Sequence, residues 1–114
     1  MNRDDYIKEY PLHADMRENV KKDFWRLRYH LMPPTGWMND PNGLCQQNGV
    51  YHIYFQFTPF QASWGTKLWG HYTTMDWIHF QEQDPFLFPD REWDRDGVYS
   101  GSAIVKDDKI HYFY

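Results

Sequence analysis

The residues that point most directly to chemistry lie in one run of seven, Trp37-Met38-Asn39-Asp40-Pro41-Asn42-Gly43. Pro41 fixes its own φ and disfavours the helical region for Asp40, so the carboxylate sits on a stiff backbone. The indole of Trp37 offers an apolar platform for a sugar face, and the amide of Asn39 can bind a hydroxyl group. A carboxylate in this setting can attack or stabilise a cationic carbon. The same residue types also form ordinary turns, so a turn without catalytic function stays open at this point.

A pattern of strands and turns from residue 31 onward must position this run. Asn48-Gly49 predicts a hairpin between strands at residues 44–47 and 50–57. Further strands are predicted at residues 67–74, 77–81, 98–105 and 110–114, with an irregular acidic connection over residues 84–97. Four strands, a long connection and a new hairpin are typical of one β-propeller blade followed by part of the next, although a β-sandwich gives a similar string.

The first thirty residues have a different pattern. Leu12, Met16, Val20 and Phe24 recur every four residues, which predicts a helix over about residues 14–27 with these side chains on its packing face. We expect this helix to pack on the following body as a lid or strap. The chain is therefore divided into an N-terminal helical extension, residues 1–30, and an all-β body, residues 31–114.

Composition and charge exclude several classes of protein. The 114 residues carry 12 Lys and Arg against 16 Asp and Glu, and a net charge of −4 argues against a nucleic-acid partner. No apolar run approaches the ~20 residues of a membrane span, and the charged N-terminus lacks the apolar segment of a secretory signal. The single cysteine, Cys45, excludes an internal disulfide and a cysteine-based zinc site. These features predict a cytoplasmic protein that does not contact a membrane.

The length of the chain indicates how much of a propeller it can form. A propeller needs at least four blades of ~40–45 residues each, and the chain ends at Tyr114 inside a predicted strand. A terminal strand without a neighbour would be an aggregation-prone edge. We therefore expect the chain to be the N-terminal portion of a larger protein.

Residues 27–114 resemble glycoside hydrolase family 32, which contains the β-fructofuranosidases (invertases) and the bacterial sucrose-6-phosphate hydrolases. The resemblance begins with residues 29–43, which are similar to the opening signature of the family. It continues in order through the segments Tyr54-Phe55-Gln56-Phe57-Thr58-Pro59, Trp64-Gly65, Trp69-Gly70-His71, Thr74-Met75-Asp76-Trp77-Ile78-His79-Phe80 and Gly97-Val98-Tyr99-Ser100-Gly101-Ser102-Ala103.

This resemblance implies a fold and an activity. The fold is a five-bladed β-propeller with the site in its central funnel, followed by a C-terminal β-sandwich, so this chain would supply the first blade and part of the second. The activity is retaining hydrolysis of terminal β-D-fructofuranosides such as sucrose, sucrose 6-phosphate or fructans, with no metal or cofactor. Asp40 matches the catalytic nucleophile, and the positions that line the substrate pocket are Trp37, Asn39, Gln56, Trp64, Tyr99 and Ser100.

The chain departs from the family in two acidic motifs. An Arg-Asp-Pro motif is absent, because neither Asp40-Pro41 nor Asp84-Pro85 follows an arginine, and the Glu-Cys motif of the acid/base is absent, because Cys45 follows a leucine. A retaining glycosidase needs two carboxyl groups about 5–5.5 Å apart. We therefore expect the 114-residue chain alone to lack useful hydrolase activity, unless a carboxylate such as Asp94 or Asp96 substitutes. Smaller departures, at Phe57-Thr58 and at Tyr99, leave fine subsite preference open.

Two other functions stay open. One is a sugar-binding propeller without catalysis, against which the presence of Asp40 weighs. The other is a glycosidase of another five-bladed family that acts on arabinose or xylose polymers, against which the run at residues 37–43 weighs. A phosphorylated substrate would need nearby bases, and the sequence does not place at the pocket any of the five in the body, Lys67, Arg91, Arg95, Lys106 and Lys109.

Overall fold

The computed structural model describes all 114 residues as two short α-helices joined by a 3₁₀ helix and followed by six antiparallel strands. The elements are α1 (Arg3–Glu9), a 3₁₀ helix (Tyr10–His13), α2 (Ala14–Lys22), β1 (Trp37–Gln47), β2 (Val50–Thr58), β3 (Leu68–Thr74), β4 (Gln81–Leu87), β5 (Ser102–Lys106) and β6 (Lys109–Phe113). The predicted all-β body with a preceding helical segment is confirmed.

The first four strands form one sheet in the order β1-β2-β3-β4, and β5 pairs with β6 in a separate hairpin. Successive side chains of a strand point to opposite faces, and both faces of β2 are buried. Phe55 packs with Tyr72 on one face, whereas Tyr54 packs with Trp69 and Val98 on the other. The second face also contacts the β5–β6 hairpin, so the core holds the sheet and the hairpin together.

Two tight turns join neighbouring strands where the sequence predicts them. Asn48 and Gly49 link β1 to β2 with φ of 51° and 82°. Asp107 and Asp108 link β5 to β6 with φ of 52° and 57°. Two consecutive positive φ angles give the turn whose twist matches that of the flanking strands.

The prediction of a strand at residues 77–81 is wrong, because β4 spans Gln81–Leu87. The hydroxyl of Thr74 accepts a hydrogen bond of 2.9 Å from the Trp77 N–H. The carboxylate of Asp76 accepts two more, of 2.9 and 2.8 Å, from the N–H groups two and three positions further on. These bonds keep the chain in a turn, and the strand forms later, as β4. Pro85 is tolerated inside β4 because this strand lies at the edge of the sheet.

The helix predicted over residues 14–27 is also partly wrong. α2 ends at Lys22, none of its residues is buried, and Phe24 is 88% exposed. The four-residue period therefore marks a helix correctly, but it does not mark a face that packs on the body.

No helix of the structure is long and apolar enough to cross a membrane.

The N-terminal segment packs on the body through α1, which the sequence pattern does not reveal. Asn2 and Asp5 form reciprocal side-chain caps at the start of α1. Tyr6, 8% exposed, then packs against Leu68 and Phe88. The sequence signal for α1 was the pair of capping residues rather than any hydrophobic period.

α1 is also tied to the segment that follows β4. The backbone N–H of Arg3 donates to the Asp90 carboxylate at 2.9 Å, and the Arg3 guanidinium donates to the carbonyl oxygen of Phe86 at 3.2 Å. The ring of Tyr6 stacks on Phe60, in the loop between β2 and β3, with centroids 5.5 Å apart. α1 therefore contacts both the loop after β2 and the connection after β4.

Candidate active site

Asp40 lies at a β-bulge in β1. Asn39 pairs with Gln56, and Pro41 pairs with the next residue of β2, Phe55, so Asp40 has no partner across the sheet. A bulge inserts one residue into a strand and re-aims its side chain. A proline is tolerated in a strand at such a point. The run at residues 37–43 is thus strand rather than open turn, and its irregularity falls at the carboxylate.

A second irregularity of β1 brings another part of the chain beside Asp40. Gly43 has φ of +55°, and its N–H donates to the carbonyl oxygen of Gly101 at 3.1 Å. This bond holds the segment before β5 against β1. The strand predicted to begin at residue 98 begins only at Ser102, so residues 98–101 cross β1 outside the hairpin ladder.

Ser100 is the side chain that this crossing brings to Asp40. Its hydroxyl lies 3.4 Å from Oδ2 of Asp40, at the long end of the hydrogen-bonding range. Asn42, which the sequence reasoning did not select, donates from Nδ2 to the Asp40 carbonyl oxygen at 3.1 Å. The Asn42 side chain therefore restrains the bulge, while its buried Oδ1 has no hydrogen-bond partner.

Trp37 and Asn39 lie together, as expected for alternate residues on one strand face. The indole Nε1 of Trp37 donates to Oδ1 of Asn39 at 3.0 Å. The indole is 37% exposed, so part of its face remains available to a ligand. This bond also orients the Asn39 amide, since its oxygen is engaged and its nitrogen is left to donate.

Gln56 and Tyr99 contribute to the site from the interior and the surface respectively. Gln56 is 2% exposed, and its Nε2 donates to the carbonyl oxygen of Val98 at 2.9 Å. The indole of Trp69 donates to the carbonyl oxygen of Tyr99 at 2.9 Å, while the Tyr99 ring is exposed. Both bonds fix the backbone that leads into Ser100.

Trp64 and Lys67 form the remaining part of the site. Trp64, in the loop between β2 and β3, is 66% exposed, and the Nζ atom of Lys67 lies 4.2 Å from its ring centroid. Lys67 is buried and donates to the hydroxyl of Thr58 at 3.0 Å. Burial lowers the pKa of the Lys67 ammonium, and the nearby charge of Asp40 opposes that shift. The sequence names Lys67 only as one of five bases, without a place in the site.

No other acidic side chain forms a hydrogen bond with Asp40, and Asp96, one possible substitute acid, is exposed in the connection after β4. Asp94, a possible substitute acid, is buried and accepts hydrogen bonds from the Arg91 N–H at 2.7 Å and from the Tyr114 hydroxyl at 3.1 Å. No group of three or more His, Cys, Asp or Glu side chains is placed to hold a metal ion. This surface therefore presents one exposed carboxylate with a hydroxyl, an amide and indoles around it.

The comparison with known proteins identifies a family over most of the chain. The family described as "Glycosyl hydrolases family 32 N-terminal domain" matches residues 30–114. A sucrose-6-phosphate hydrolase of Bacillus subtilis is 47% identical over 95 residues, which are 83% of this chain and 20% of that protein. The chain thus spans about a fifth of the length of this curated relative.

Solved structures give the same result for the fold. A sucrose-6-phosphate hydrolase from Lactobacillus gasseri superposes with a TM-score of 0.85 at 32% identity, over 98% of this chain and 22% of that one. A fructan 1-exohydrolase IIa from Cichorium intybus gives 0.72 at 39% identity, over 75% and 16% of the two chains. These neighbours are five-bladed propellers, so the expected fold class is confirmed: β1–β4 form the first blade and β5–β6 part of the second.

Proposed function

The chain belongs to glycosyl hydrolase family 32, and on this premise we propose that the protein hydrolyses terminal β-D-fructofuranosides with retention of configuration. The observation that carries the proposal is the exposed Asp40 carboxylate on a rigid bulge, with the Ser100 hydroxyl 3.4 Å away. The names of the relatives support sucrose 6-phosphate and fructans as substrates. The family match leaves no ground for the alternative in which arabinose or xylose polymers are hydrolysed.

Asp40 acts as the nucleophile in this proposal. Its carboxylate oxygen forms a bond to the anomeric carbon of the fructosyl group, while the glycosidic bond breaks and an acid gives the leaving oxygen a proton. Water then attacks the anomeric carbon of the fructosyl ester, gives a proton back to the group that acted as the acid, and releases Asp40 as a carboxylate. The chain lacks the Glu-Cys motif that carries the acid/base in the family, so we assign the acid to a carboxyl group elsewhere in the whole protein.

The remaining site residues divide between walls and hydrogen-bonding groups. Trp37, Trp64 and Tyr99 are partly or largely exposed, which supports their role as the apolar wall for the sugar. Asn39 and Ser100 offer a donor and a hydroxyl to the furanose. Gln56 uses its nitrogen on Val98, so its oxygen is the atom we assign to a sugar hydroxyl.

The organisation of the protein follows from the same premise. We assign residues 1–30 to an N-terminal helical extension and residues 31–114 to the N-terminal part of the propeller, which a C-terminal β-sandwich follows in the whole protein. A single cysteine, Cys45, and an unpaired thiol support a cytoplasmic location, which cell fractionation tests directly.

A mechanism-based fructosyl label tests the proposal most sharply. A fluorinated fructosyl donor that forms a slowly hydrolysed ester is added to the whole protein, and the labelled peptide is identified by mass spectrometry. We expect the label on Asp40. A label on any other carboxylate contradicts the assignment, even if the protein cleaves sucrose. The isolated 114-residue chain is expected to show no turnover of sucrose above background, because it lacks a second carboxyl group at the site.

A further inference from the structure

A buried lysine lies between two indoles of the proposed pocket. Lys67 directly precedes β3 and is 2% exposed. Its Nζ atom lies 4.2 Å from the ring centroid of Trp64 and 5.6 Å from that of Trp37. Both indoles are themselves exposed to solvent. The ammonium therefore lies on the inner side of two aromatic surfaces whose outer sides are open.

The ammonium has few other partners. Its one hydrogen bond within the protein goes to the hydroxyl of Thr58, at 3.0 Å. No carboxylate oxygen lies within 4.0 Å of it, since none of the five ion pairs includes Lys67. A buried ammonium without a paired carboxylate loses hydration, and an aromatic face recovers part of that loss. The indole of Trp64 is the nearest such face.

The backbone fixes where this ammonium can lie. The carbonyl oxygen of Lys67 accepts from the Val98 N–H at 2.9 Å. Gly97 approaches so closely that an added Cβ would lie 3.2 Å from the Lys67 nitrogen. Lys67 is thereby anchored to the segment that carries Tyr99 and Ser100, and its side chain reaches from that segment to the loop that carries Trp64.

We propose that Lys67 is a positioning residue whose ammonium holds the Trp64 indole in place as a wall of the sugar pocket. The proposal rests on the fructosidase function proposed above. Direct contact with a substrate phosphate is disfavoured because the Lys67 side chain is covered. A lysine that acts through the indole affects neutral and phosphorylated sugars alike, since both place the same fructosyl ring against that wall.

The first test is kinetic and uses the whole, active protein. Lys67→Met keeps the length of the side chain and removes the charge, and we expect KM for sucrose to rise roughly 2- to 30-fold, the range of a cation–π contact, with kcat little changed. Lys67→Arg keeps a cation over the ring, so we expect its KM to return most of the way to the wild-type value. Lys106→Met, at an exposed lysine of β5, is the matched control and should leave KM unchanged.

A double-mutant cycle decides whether Lys67 acts through Trp64. In a Trp64→Ala background, Lys67→Met should change KM less than twofold, because the indole is already absent. Additive effects overturn the proposal. The factor by which Lys67→Met raises KM should also be the same for sucrose and for sucrose 6-phosphate. A rise in KM that is confined to the phosphorylated sugar would overturn the positioning role and would indicate that Lys67 contacts the phosphate.

Two other outcomes need their own controls: a Lys67→Met variant that does not fold, and a wild-type protein that lacks fructosidase activity. If Lys67→Met does not fold, as judged by circular dichroism, Thr58→Val removes the acceptor of the ammonium, together with a long 3.4 Å bond from that hydroxyl to the Thr66 carbonyl oxygen. This variant must raise KM in the same direction, or the proposal fails. Wild-type protein without fructosidase activity overturns the proposed function and this role together. Active wild type with an unchanged KM in folded Lys67→Met overturns the role of Lys67 alone.

Discussion

The phenol oxygens of Tyr54 and Tyr112 lie 2.6 Å apart and form a hydrogen bond between the first sheet and the β5–β6 hairpin. Their rings are perpendicular, with centroids 5.4 Å apart. Burial raises the pKa of both phenols, so the bond persists as a neutral pair well above neutral pH. This bond joins a buried side chain of the first blade to a side chain of the second.

Tyr112→Phe removes one partner of this bond and keeps the ring packing. We expect the free energy of unfolding to fall by about 1–2 kcal/mol, since the buried Tyr54 hydroxyl then lacks its partner. Chemical denaturation of the whole protein measures this. Tyr29→Phe is the control, because the exposed Tyr29 hydroxyl makes no hydrogen bond within the protein. Equal stability of the two variants would contradict the interblade role.

Asp40→Asn tests the nucleophile independently of labelling. An amide cannot form the fructosyl ester, so we expect kcat on sucrose to fall by roughly 10⁴-fold or more. Asp84→Asn is a close control, because Asp84 also precedes a proline within a strand but lies on β4, outside the site. Activity should survive that change. A loss of similar size at Asp84 would mean that these substitutions act through folding.

The pair His52 and His71 predicts a pH dependence of stability. Burial, and then the neighbouring His52, lowers the pKa of His71 from 6.5 to about 4. Burial also lowers the pKa of His52, and the two rings share a hydrogen bond of 3.1 Å. Because the unfolded chain binds a proton that the folded chain excludes, stability is full above pH 6.5 and is lost as the pH falls towards 4.

The size of this effect follows from the shift at His71. A shift of that extent corresponds to at most about 3 kcal/mol of folding free energy between pH 6.5 and 4, and solvent screening at this partly buried ring reduces it. We expect His71→Gln to flatten the loss measured by denaturation at a series of pH values, whereas His111→Gln, at an exposed position of β6, should retain the wild-type dependence. An unchanged slope in His71→Gln would show that other groups cause the acid sensitivity.

Gly43 and Gly49 form a matched pair of positions that tests how closely Gly43, at the second irregularity of β1, packs against Trp69. Both have positive φ, but a Cβ at Gly43 would lie 2.7 Å from the Trp69 ring, whereas nothing lies within 4 Å at Gly49. We expect Gly49→Ala to cost about 1–2 kcal/mol for backbone conformation alone. Gly43→Ala should cost about 1–3 kcal/mol more because of overpacking. Equal melting temperatures of the two variants would contradict the close approach to Trp69.

Much of the fold could be predicted from local patterns, and the failures have physical causes. The turn at Asn48-Gly49 and the many aromatic and β-branched residues of β2 are local signals, and the structure confirms both. β4 was misplaced because the bonds of Thr74 and Asp76 override strand propensity over residues 77–80. α1 was missed because a single tyrosine, Tyr6, carries its packing and so leaves no period.

The candidate site also has a part that local sequence patterns predict and a part that they do not. The type and spacing of Trp37, Asn39 and Asp40 could be recognised from sequence, since they are neighbours on one strand. The place of Lys67 could not, because it depends on a hydrogen bond to Val98, thirty-one positions later, and on the path of the loop that carries Trp64. Contacts between distant segments set where its charge lies, and no local pattern encodes them.

The docking of α1 has a consequence for how the polypeptide acquires its shape during synthesis. Its anchors, Phe60 and Asp90, are translated long after Arg3 and Tyr6. Arg3 and Tyr6 therefore leave the ribosome well before the residues that hold them, and they are among the last of this region to reach their final positions. Until the first blade is complete they remain free to meet chaperones or proteases, and the completed blade then buries the ring of Tyr6.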